Sequence, residues 1–455
     1  MTSDLSRRRL LAALAAGGVG ALAACSDSGD PTPTSATDVP ADTLVLRVWS
    51  RPLGEAITRA APEFTRASGW KLQVEVRDWE DYWTSLPLDI AGGTSADVFL
   101  MNAANLAQFQ VSDGLLDLSR EDLPGDEAWE PQVVDLYRRD DRLWGVPMLW
   151  DVTVLLANRS LVEGAGVDPA ALSFDPAAED DPLRAATRAL TADQNGTHPG
   201  GSGFDPAGLT SVGFGAVPDR AGVLGPFIAG NGGTWQDEAE RFTFASPEGT
   251  AAVQYLVDMA NTWHVAPPGA DSAASPTLAR EWFTRGRLAL FQTGTYDLRV
   301  VADAIGDTLP WSVHPVVPGP AGRRPLVHGI AACAPRALAE EQDAEDGTRP
   351  RKDGAVALLA WLGSAPLQRT LAEAHLGIPA HRDARSAFTE AWTARGVDVA
   401  AALEPTPQVA RPETGVRSAD GTSAALPHIR EAFAGTAPVP EALTEAQQAA
   451  NDATA

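Results

Sequence analysis

Residues 142–167 read RLWGVPMLWDVTVLLANRSLVEGAGV. The first half of this stretch is apolar and β-branched, which predicts a buried strand. Asp151 lies near the start of that strand, and a buried carboxylate is costly unless hydrogen bonds or a charged partner compensate it. Two interpretations are therefore open: the protein's own groups satisfy Asp151, or Asp151 faces a surface at which a polar ligand arrives.

Strands and helices alternate in the region before this stretch. The segments TLVLRVW, KLQVEVRDW and ADVFLMNA, at 43–49, 71–79 and 96–103, have the pattern of strands, and helical periodicity follows the first two. This alternation predicts an α/β fold with a parallel sheet flanked by helices. Ligands bind beyond the carboxyl ends of such strands. Aromatic or hydrogen-bonding residues stand at those ends: Trp49, Arg51, Trp79, Glu80, Trp83 and Asn102.

The second half of the chain has a less regular pattern. Residues 168–220 are rich in Asp, Pro and Gly and contain TADQNGTHPGG, which predicts a loop. A strand is predicted at 288–298 and breaks at the glycine before Tyr296, and two more strands are predicted in WSVHPVVPG and LVHGIAACAP. From Gly354 the chain is predicted to be mainly helical.

The composition limits the classes of function. The chain has 455 residues and a formal net charge of −25, and so acidic a body repels phosphate backbones and anionic lipid headgroups. Neither Lys71 nor Lys352 lies in a Gly-rich phosphate loop, and no H-E-x-x-H, paired C-x-x-C or G-x-S-x-G motif occurs. We therefore expect no nucleic-acid binding, no ATP site, no metal and no cofactor.

The N-terminus has the pattern of an export signal. A basic segment, SRRRLL at 6–11, precedes an apolar segment that is too short to cross a membrane comfortably. LAAC, at 22–25, matches the bacterial lipobox, in which the cysteine becomes the lipid-bearing first residue of the mature protein. SRRRLL also resembles a twin-arginine signal, so the export route stays open. We expect a lipoprotein signal peptide at 1–24, a lipid anchor on Cys25 and a flexible tether at 25–41.

Collinear segments through almost the whole mature sequence resemble the extracellular solute-binding proteins of ABC transporters, in particular the sugar-type, maltodextrin-binding-like family. No single segment is specific, but their order is. The segments are AGGTSADVFLMN, DGLLDLS, DDRLWGVPMLWDVTVLLANRSLVEGAGV, GNGGTW, FTRGRLALFQTGTYDL, VVPGPAGRRPLVHGI and PVPEALTEAQQAAN.

The resemblance implies a two-lobed α/β fold, in which each lobe is a sheet flanked by helices and hinge segments join the lobes around a ligand cleft. The implied boundaries are 42–149 plus 327–362 for lobe 1 and 150–326 plus 363–455 for lobe 2. Residues 147–152 and 328–329 would be hinge crossings. Asp151 would then lie at the mouth of the cleft, facing water when the cleft is empty and sugar hydroxyls when it is closed.

The function that the resemblance implies is that of a binding protein, not an enzyme. The chain would be a lipid-anchored, extracytoplasmic monomer that captures a carbohydrate, in particular an oligosaccharide, by lobe closure and delivers it to the permease subunits of an ABC importer. Sugars present apolar faces to aromatic rings and hydroxyls to carboxylates, amides and arginine. The ligand-binding candidates are Trp49, Arg51, Trp79, Glu80, Trp83, Asn102, Trp150, Asp151, Trp235, Tyr296 and His328. Tyr296 matches the family's aromatic stacking position.

Other interpretations stay open. Each of these tryptophans could pack in the core instead, and Trp361, within an apolar helical run, is expected to do so. An exported carbohydrate-active enzyme also needs tryptophans and paired carboxylates in a cleft. The same fold could bind a metal, a polyamine, a peptide or a phosphate-bearing compound, or it could serve a sensor or an adhesin. Residues 400–425 contain no aromatic residue where sugar-type members often place one, so the contacts of lobe 2 are open.

Overall fold

The computed structural model describes residues 39–340, 349–404, 408–410 and 412–455. The predicted signal peptide, Cys25 and most of the predicted tether lie outside the described residues. The described residues fall in one compact unit, so the lobe boundaries stay a prediction. Within these residues, no helix combines the length and the apolar character needed to span a membrane.

The chain forms strands and helices in the order that the sequence predicts for most segments. The described strands are β1 (Thr43–Val48), β2 (Lys71–Val76), β3 (Val98–Asn102), β4 (Arg138–Arg139), β5 (Arg142–Leu143), β6 (Val146–Asn158), β7 (Ala192–Asp193), β8 (Leu209–Phe214), β9 (Leu288–Gly294), β10 (Trp311–Pro315), β11 (Val327–Cys333) and β12 (Ile378–Pro379). The described α-helices are α1 (Arg51–Ser68), α2 (Trp79–Ala91), α3 (Leu106–Val111), α4 (Pro131–Val134), α5 (Arg159–Gly164), α6 (Pro182–Leu190), α7 (Gly225–Gly230), α8 (Pro247–Asn261), α9 (Gly269–Ala274), α10 (Leu278–Thr284), α11 (Leu298–Ile305), α12 (Arg351–Leu362), α13 (Ala365–Glu373), α14 (Arg385–Ala394), α15 (Ser418–Phe433) and α16 (Val439–Thr454).

The main sheet is mixed. Its order is β2-β1-β3-β11-β6-β9-β8-β7, and β10 and β12 also pair with β6. β1 is parallel to β2 and β3, as the alternation of strands and helices predicts, but β11 is antiparallel to both β3 and β6. The prediction of parallel strands is therefore confirmed for β1, β2 and β3, the segments on which it rests. It does not extend to β11, because β11 joins the sheet from far along the chain, whereas alternation reports only on neighbouring segments.

The strand β6 joins the two flanks of the sheet. All of its 13 residues are buried, as the apolar pattern predicts. Residues 146–152 pair with β11, whereas 153–157 pair with β9. The change of partner lies at Thr153, whose hydroxyl donates to the Leu326 carbonyl and accepts from its N–H, both at 3.3 Å. Asp151 therefore lies where the two flanks of the sheet meet.

Local signals set the helix that covers the first flank. Ser50 caps α1 by accepting a hydrogen bond from the N–H of Leu53. The helix ends at Gly69, whose φ of 75° favours glycine. A Cβ on Gly54 would lie 2.8 Å from the side chain of Val76, so this glycine lets α1 pack closely against the sheet.

The Asp- and Pro-rich region 168–220 is more ordered than its composition indicates, since it contains α6 and β8. The Asp181 side chain caps α6 by accepting from two N–H groups of its first turn. The Asp193 carboxylate accepts from three backbone N–H groups and so folds the loop that follows β7. The aspartates that suggest a loop thus act as caps and turn formers.

Candidate functional site

Polar side chains gather where β6 passes between the two flanks. Asp151 is 8% exposed, and its Oδ1 accepts a hydrogen bond from the Thr295 hydroxyl at 2.9 Å. Burial raises the pKa of Asp151 to about 6; the Thr295 hydrogen bond opposes this change, and the charge of Asp297 adds to it. The first interpretation of Asp151 is thus correct in part, because Thr295 satisfies one of its oxygens.

His328 lies opposite Asp151 on the neighbouring strand β11. Among the described residues, its buried Nε2 has no hydrogen-bond partner. Burial lowers the pKa of His328 to about 4; the charge of Glu413 opposes this change, and that of Arg220 adds to it. The imidazole is therefore neutral at pH 7, and Nε2 can donate one hydrogen bond to a ligand or accept one from it, depending on the tautomer.

A buried ion pair lies near His328. Arg220 Nε lies 2.9 Å from Glu413 Oε1, and both side chains are 9% exposed. The Arg220 guanidinium lies 4.4 Å from the centre of the Trp235 ring, and the Thr422 hydroxyl donates to Glu413 at 3.1 Å. In the described part of the chain, Nη1 and Nη2 of Arg220 find no hydrogen-bond partner, and burial lowers the pKa of this arginine. These two nitrogens are donors that a ligand could satisfy.

Tyr296 supplies an exposed ring beside these polar groups. It follows β9 in a 3₁₀ turn, Thr295–Asp297, and its ring lies on the backbone of Gly294, where any Cβ would overlap it. The side chain is 44% exposed. Partial burial and the charges of Asp219 and Asp297 raise the pKa of Tyr296, so the phenol is neutral. An open aromatic face of this kind suits stacking on an apolar sugar face.

Three cavities lie near the strand crossing, and we name each after one lining residue. Arg220 and Tyr296 are among their described lining residues, whereas Asp151, His328 and Glu413 are not. They are the Tyr296 cavity (about 380 Å³; Asp219, Arg220, Tyr296 and Asp297), the Arg324 cavity (about 280 Å³; Arg220, Trp235, Arg324 and Val409) and the Trp150 cavity (about 240 Å³; Trp150, Thr153, Arg385 and Val409). Arg220 lines the first two cavities and Val409 lines the last two. The cavities are therefore neighbours along the strand crossing.

The aromatic residues at the ends of β1 and β2 come together in a second group. The ring centroid of Trp49 lies 5.5 Å from that of Trp79, 5.2 Å from Tyr82 and 5.6 Å from Trp83. We call these four residues the aromatic cluster. Tyr82 is fully buried, whereas Trp79 is 51% exposed, and the buried Nε1 of Trp83 has no partner among the described residues. The rings thus pack mainly on one another.

The predicted polar residues of the first flank lie at the starts of helical segments. Arg51 and Glu80 are exposed residues in the first turns of α1 and α2. Asn102 accepts hydrogen bonds from the N–H and the side chain of Asn105, so it caps the turn that follows β3. Among the described residues, no hydrogen bond or ion pair joins any of these three side chains to His328 or Asp151.

Protein groups cover two of the predicted tryptophans. Trp150 is 2% exposed, and its Nε1 donates to the Pro379 carbonyl at 3.0 Å. Trp235 is 5% exposed and stacks on Phe244 with the ring centroids 4.4 Å apart, while Arg220 lies over its ring. Trp235 can therefore act on a ligand through Arg220, but it does not offer an open face.

The sequence candidates omit several central residues. Asp219 and Arg220 end the irregular region 168–220. Glu413 lies within residues 400–425, where sugar-type members of the family often place an aromatic residue. Asp219 and Arg220 follow the apolar strand β8, so the argument from carboxyl ends of strands that selected Trp49 also applies to them. The Asp-, Pro- and Gly-rich composition of the region predicts a loop, so the sequence pattern does not identify these two residues as following a strand.

His428, Glu431 and Glu445 on α15 and α16 form another group of polar atoms. Their ligand-type atoms lie within 4.8 Å of one another. His428 Nδ1 is 3.7 Å from Glu431 and 3.5 Å from Glu445, whose side chains are 53% and 65% exposed. These distances describe contacts between one imidazole and two largely exposed carboxylates, and contacts of this kind at the surface contribute little to stability.

Comparison with known proteins matches this chain to a family of binding proteins. Residues 49–369 match the family model described as bacterial extracellular solute-binding protein. UspC of M. tuberculosis is 32% identical, with a TM-score of 0.76 over 90% of this chain and 100% of that chain. A probable amino-acid ABC transporter periplasmic-binding protein of Sinorhizobium fredii is 26% identical over 226 residues, which is 47% of each chain. The match thus spans about half the length of that curated relative.

More distant crystal structures share the fold. An ABC substrate-binding protein of Listeria monocytogenes in complex with cycloalternan is 18% identical, with a TM-score of 0.72 over 90% of this chain and 98% of that chain. The maltose-binding periplasmic protein of the same organism, in complex with maltose, is 16% identical, with a TM-score of 0.68 over 90% of this chain and 97% of that chain. The predicted fold class is confirmed, and the family and these similar structures are binding proteins rather than enzymes.

Proposed function

Because this chain belongs to the bacterial extracellular solute-binding protein family, we propose that it is the solute-binding component of an ABC importer and that its solute is a carbohydrate, in particular an oligosaccharide. In this proposal, lipid on Cys25 anchors a monomer outside the cell membrane, and the loaded protein delivers its solute to the permease subunits. The protein binds without catalysing a reaction.

One observation carries the proposal for the site: buried hydrogen-bonding atoms that have no partner among the described residues lie beside an open aromatic ring. Nη1 and Nη2 of Arg220 and Nε2 of His328 are the buried atoms, and Tyr296 is the ring. Leaving a polar atom buried and unpaired costs about 1 to 3 kcal/mol. A sugar could relieve this cost, since its hydroxyls both donate and accept, and its C–H face can stack on tyrosine.

Closure of two lobes about the strand crossing would complete the site. We propose that lobe 1 comprises 42–149 plus 327–362 and that lobe 2 comprises 150–326 plus 363–455. A solute that contacts both lobes favours the closed arrangement by the free energy of those additional contacts. Micromolar affinity, about −8 kcal/mol, is ample for a capture step.

A thermal-shift screen tests the proposal. The mature chain carrying Cys25→Ala, which removes the lipid-bearing residue, is screened against mono- and oligosaccharides, amino acids and short peptides. We expect a carbohydrate to give the largest rise in melting temperature, and tryptophan fluorescence to change on binding because closure alters the surroundings of the rings. Intact solute recovered after incubation would support binding without catalysis.

An amino acid is the alternative solute, because the curated Sinorhizobium relative carries the name of an amino-acid transporter protein. An α-carboxylate could bind Arg220, and an α-ammonium group could bind Asp219 or Asp297. If amino acids raise the melting temperature and no carbohydrate does, the carbohydrate proposal is wrong while the family assignment stands.

A further inference from the structure

The Arg324 cavity differs chemically from the rest of the site. Two arginines, Arg220 and Arg324, line it, and no Asp or Glu is among its described lining residues. The protein as a whole has a formal net charge of −25. Glu413 compensates the charge of Arg220, so Arg324 supplies the uncompensated positive charge of the cavity. This charge opposes the general charge of the protein and favours an anionic group.

Arg324 points to a ligand because its charge is not compensated. It follows a tight turn in which Gly319 and Gly322 form a bridge. The side chain is half-buried, and it makes no hydrogen bond or ion pair with any residue that the structure describes. A guanidinium in this position is free to bind an anion that enters the cavity.

Arg220 provides the better-defined half of the cavity. Its Nε faces Glu413, which leaves Nη1 and Nη2 as a buried pair of donors without partners in the described chain. A Cβ at Gly225 would overlap Nη1, so the glycine makes room for the guanidinium. The Trp235 ring lies against its face. A planar arginine fixed in this way matches the two oxygens of a carboxylate or phosphate.

We propose that the carbohydrate bound by this protein carries a negatively charged group, a phosphate monoester or a carboxylate, which occupies the Arg324 cavity between Arg220 and Arg324. This inference rests on the proposed function, since it takes the solute to be a sugar. The sugar ring would lie in the adjoining Tyr296 cavity, which shares Arg220 with the Arg324 cavity. Glu413 would hold Arg220 in place while the anion takes the two free donors.

Calorimetric titration of matched neutral and charged sugars tests the inference. The pairs are glucose with glucose 6-phosphate, galactose with galacturonate, and N-acetylglucosamine with its 1-phosphate; inorganic phosphate is titrated alone. We expect the tightest ligand to be a charged sugar that binds about tenfold or more tightly than its neutral partner, because two charge-assisted contacts are added. Its affinity should fall with added NaCl, whereas that of the neutral partner should not.

Variants locate the effect. Arg324→Ala should lower the affinity for the charged sugar about tenfold and leave the affinity for the neutral partner unchanged, because in this proposal Arg324 contacts only the anionic group. Arg285→Ala is the matched control: it removes the same charge from a side chain that is 64% exposed, and it should change neither affinity. Melting curves of both variants verify that they fold.

The outcomes separate this inference from the function on which it rests. If a neutral sugar binds as tightly as its charged partner, or if Arg324→Ala weakens both equally, the anionic assignment is wrong and the carbohydrate proposal stands. If inorganic phosphate alone binds as tightly as the sugar phosphate, the cavity binds free anions and the inference is wrong. If no carbohydrate binds, either in these titrations or in the thermal-shift screen of mono- and oligosaccharides, the proposed function fails, and this inference fails with it.

Discussion

The aromatic cluster and the polar group at the strand crossing use opposite kinds of packing. In the aromatic cluster, Trp49, Trp79, Tyr82 and Trp83 lie edge to face or tilted against one another at 5.0–5.6 Å. The polar group of Asp151, Arg220, His328 and Glu413 contains buried polar atoms that find no partner within the described part of the chain. The pKa values of Asp151 and His328 are also shifted. In the first group, Trp83 Nε1 is a single buried donor without a partner among the described residues, whereas the second group has three such atoms, Nη1 and Nη2 of Arg220 and Nε2 of His328. Under the proposed function, a ligand completes the hydrogen bonding of the second group.

This difference indicates where the binding free energy arises. A ligand at the polar group relieves a cost that the free protein already carries, because unpaired buried donors are costly. A ligand at the aromatic cluster adds contacts to rings that already have neighbours. We therefore expect substitutions in the polar group to change affinity strongly, and substitutions in the aromatic cluster to change stability more than affinity.

The largest effect is expected from removing the ion pair as a unit. The double substitution Arg220→Met with Glu413→Gln deletes both charges, so neither is left buried alone. Solute affinity, measured by calorimetry with the best carbohydrate found in the screen, should fall about 100-fold or more because two buried donors disappear. The control pair is Arg351→Met with Asp97→Asn, an ion pair at 2.6 Å on the first flank. It should lower stability without changing affinity; equal losses of affinity from both pairs would contradict the comparison.

The next effect is on stability and comes from Asp151. Its folded pKa of about 6 lies above the ordinary value of 3.8, so the folded state holds the proton more tightly than the unfolded state does. The carboxyl therefore destabilises the folded protein above pH 6, and this cost disappears as the pH falls through about 6 towards 3.8. Asp151→Asn should raise the unfolding free energy at pH 8 by about 2 to 3 kcal/mol.

The pH dependence of this gain is the sharper test, and His328 supplies the contrast. The gain from Asp151→Asn should shrink progressively below pH 6 in denaturant titrations; the same gain at pH 8 and pH 4.5 would refute the raised pKa. The folded pKa of His328, about 4, lies below its ordinary value of 6.5. Its contribution to stability is therefore present above pH 6.5 and lost as the pH falls towards 4. His328→Gln should consequently gain stability relative to the parent protein as the pH falls through that range.

Tyr296 connects the two kinds of packing, since it is an aromatic ring beside the polar group. Tyr296→Ala should weaken the binding of the same carbohydrate more than about tenfold, because the variant removes the ring face on which the sugar stacks. Trp361→Ala is the control. Its ring packs on Phe64 with the centroids 5.3 Å apart, so this variant should lower the melting temperature and leave affinity intact. An unchanged affinity in Tyr296→Ala would remove Tyr296 from the site.

The sequence predicts the fold better than it predicts the site. The strand β6, the first three strands and the position of Tyr296 after a glycine follow from local pattern, because periodicity and turn chemistry act over a few residues. The antiparallel centre of the sheet does not follow, since β11 reaches β3 across more than two hundred residues of chain (about 225). The pairing of Arg220 with Glu413 is also long-range, since 193 positions separate the two residues (413 − 220).

Like the long-range pairing of strands, the exposed fraction of a side chain does not follow from the local sequence pattern. Trp150, Trp235 and Trp79 are all candidates from the sequence, yet the first two are 2% and 5% exposed, whereas Trp79 is 51% exposed. Their burial comes from Pro379 and Phe244, which the sequence gives no reason to place beside them. Residue type therefore indicates what a side chain could bind, while long-range contacts decide whether a ligand can reach it.

The smallest effect is expected at the exposed edge of the aromatic cluster. Trp79→Ala removes edge-to-face contacts with Trp49 and Trp83, each worth about 0.5 to 1.5 kcal/mol of stability. Affinity for a mono- or disaccharide should change about threefold at most, because contacts outside the central group contribute little. Titration with a ladder of oligosaccharides tests this prediction. If the loss in Trp79→Ala grows with chain length and reaches that of Tyr296→Ala, the aromatic cluster is a second part of the binding surface, and the contrast drawn between the two groups is wrong for long solutes.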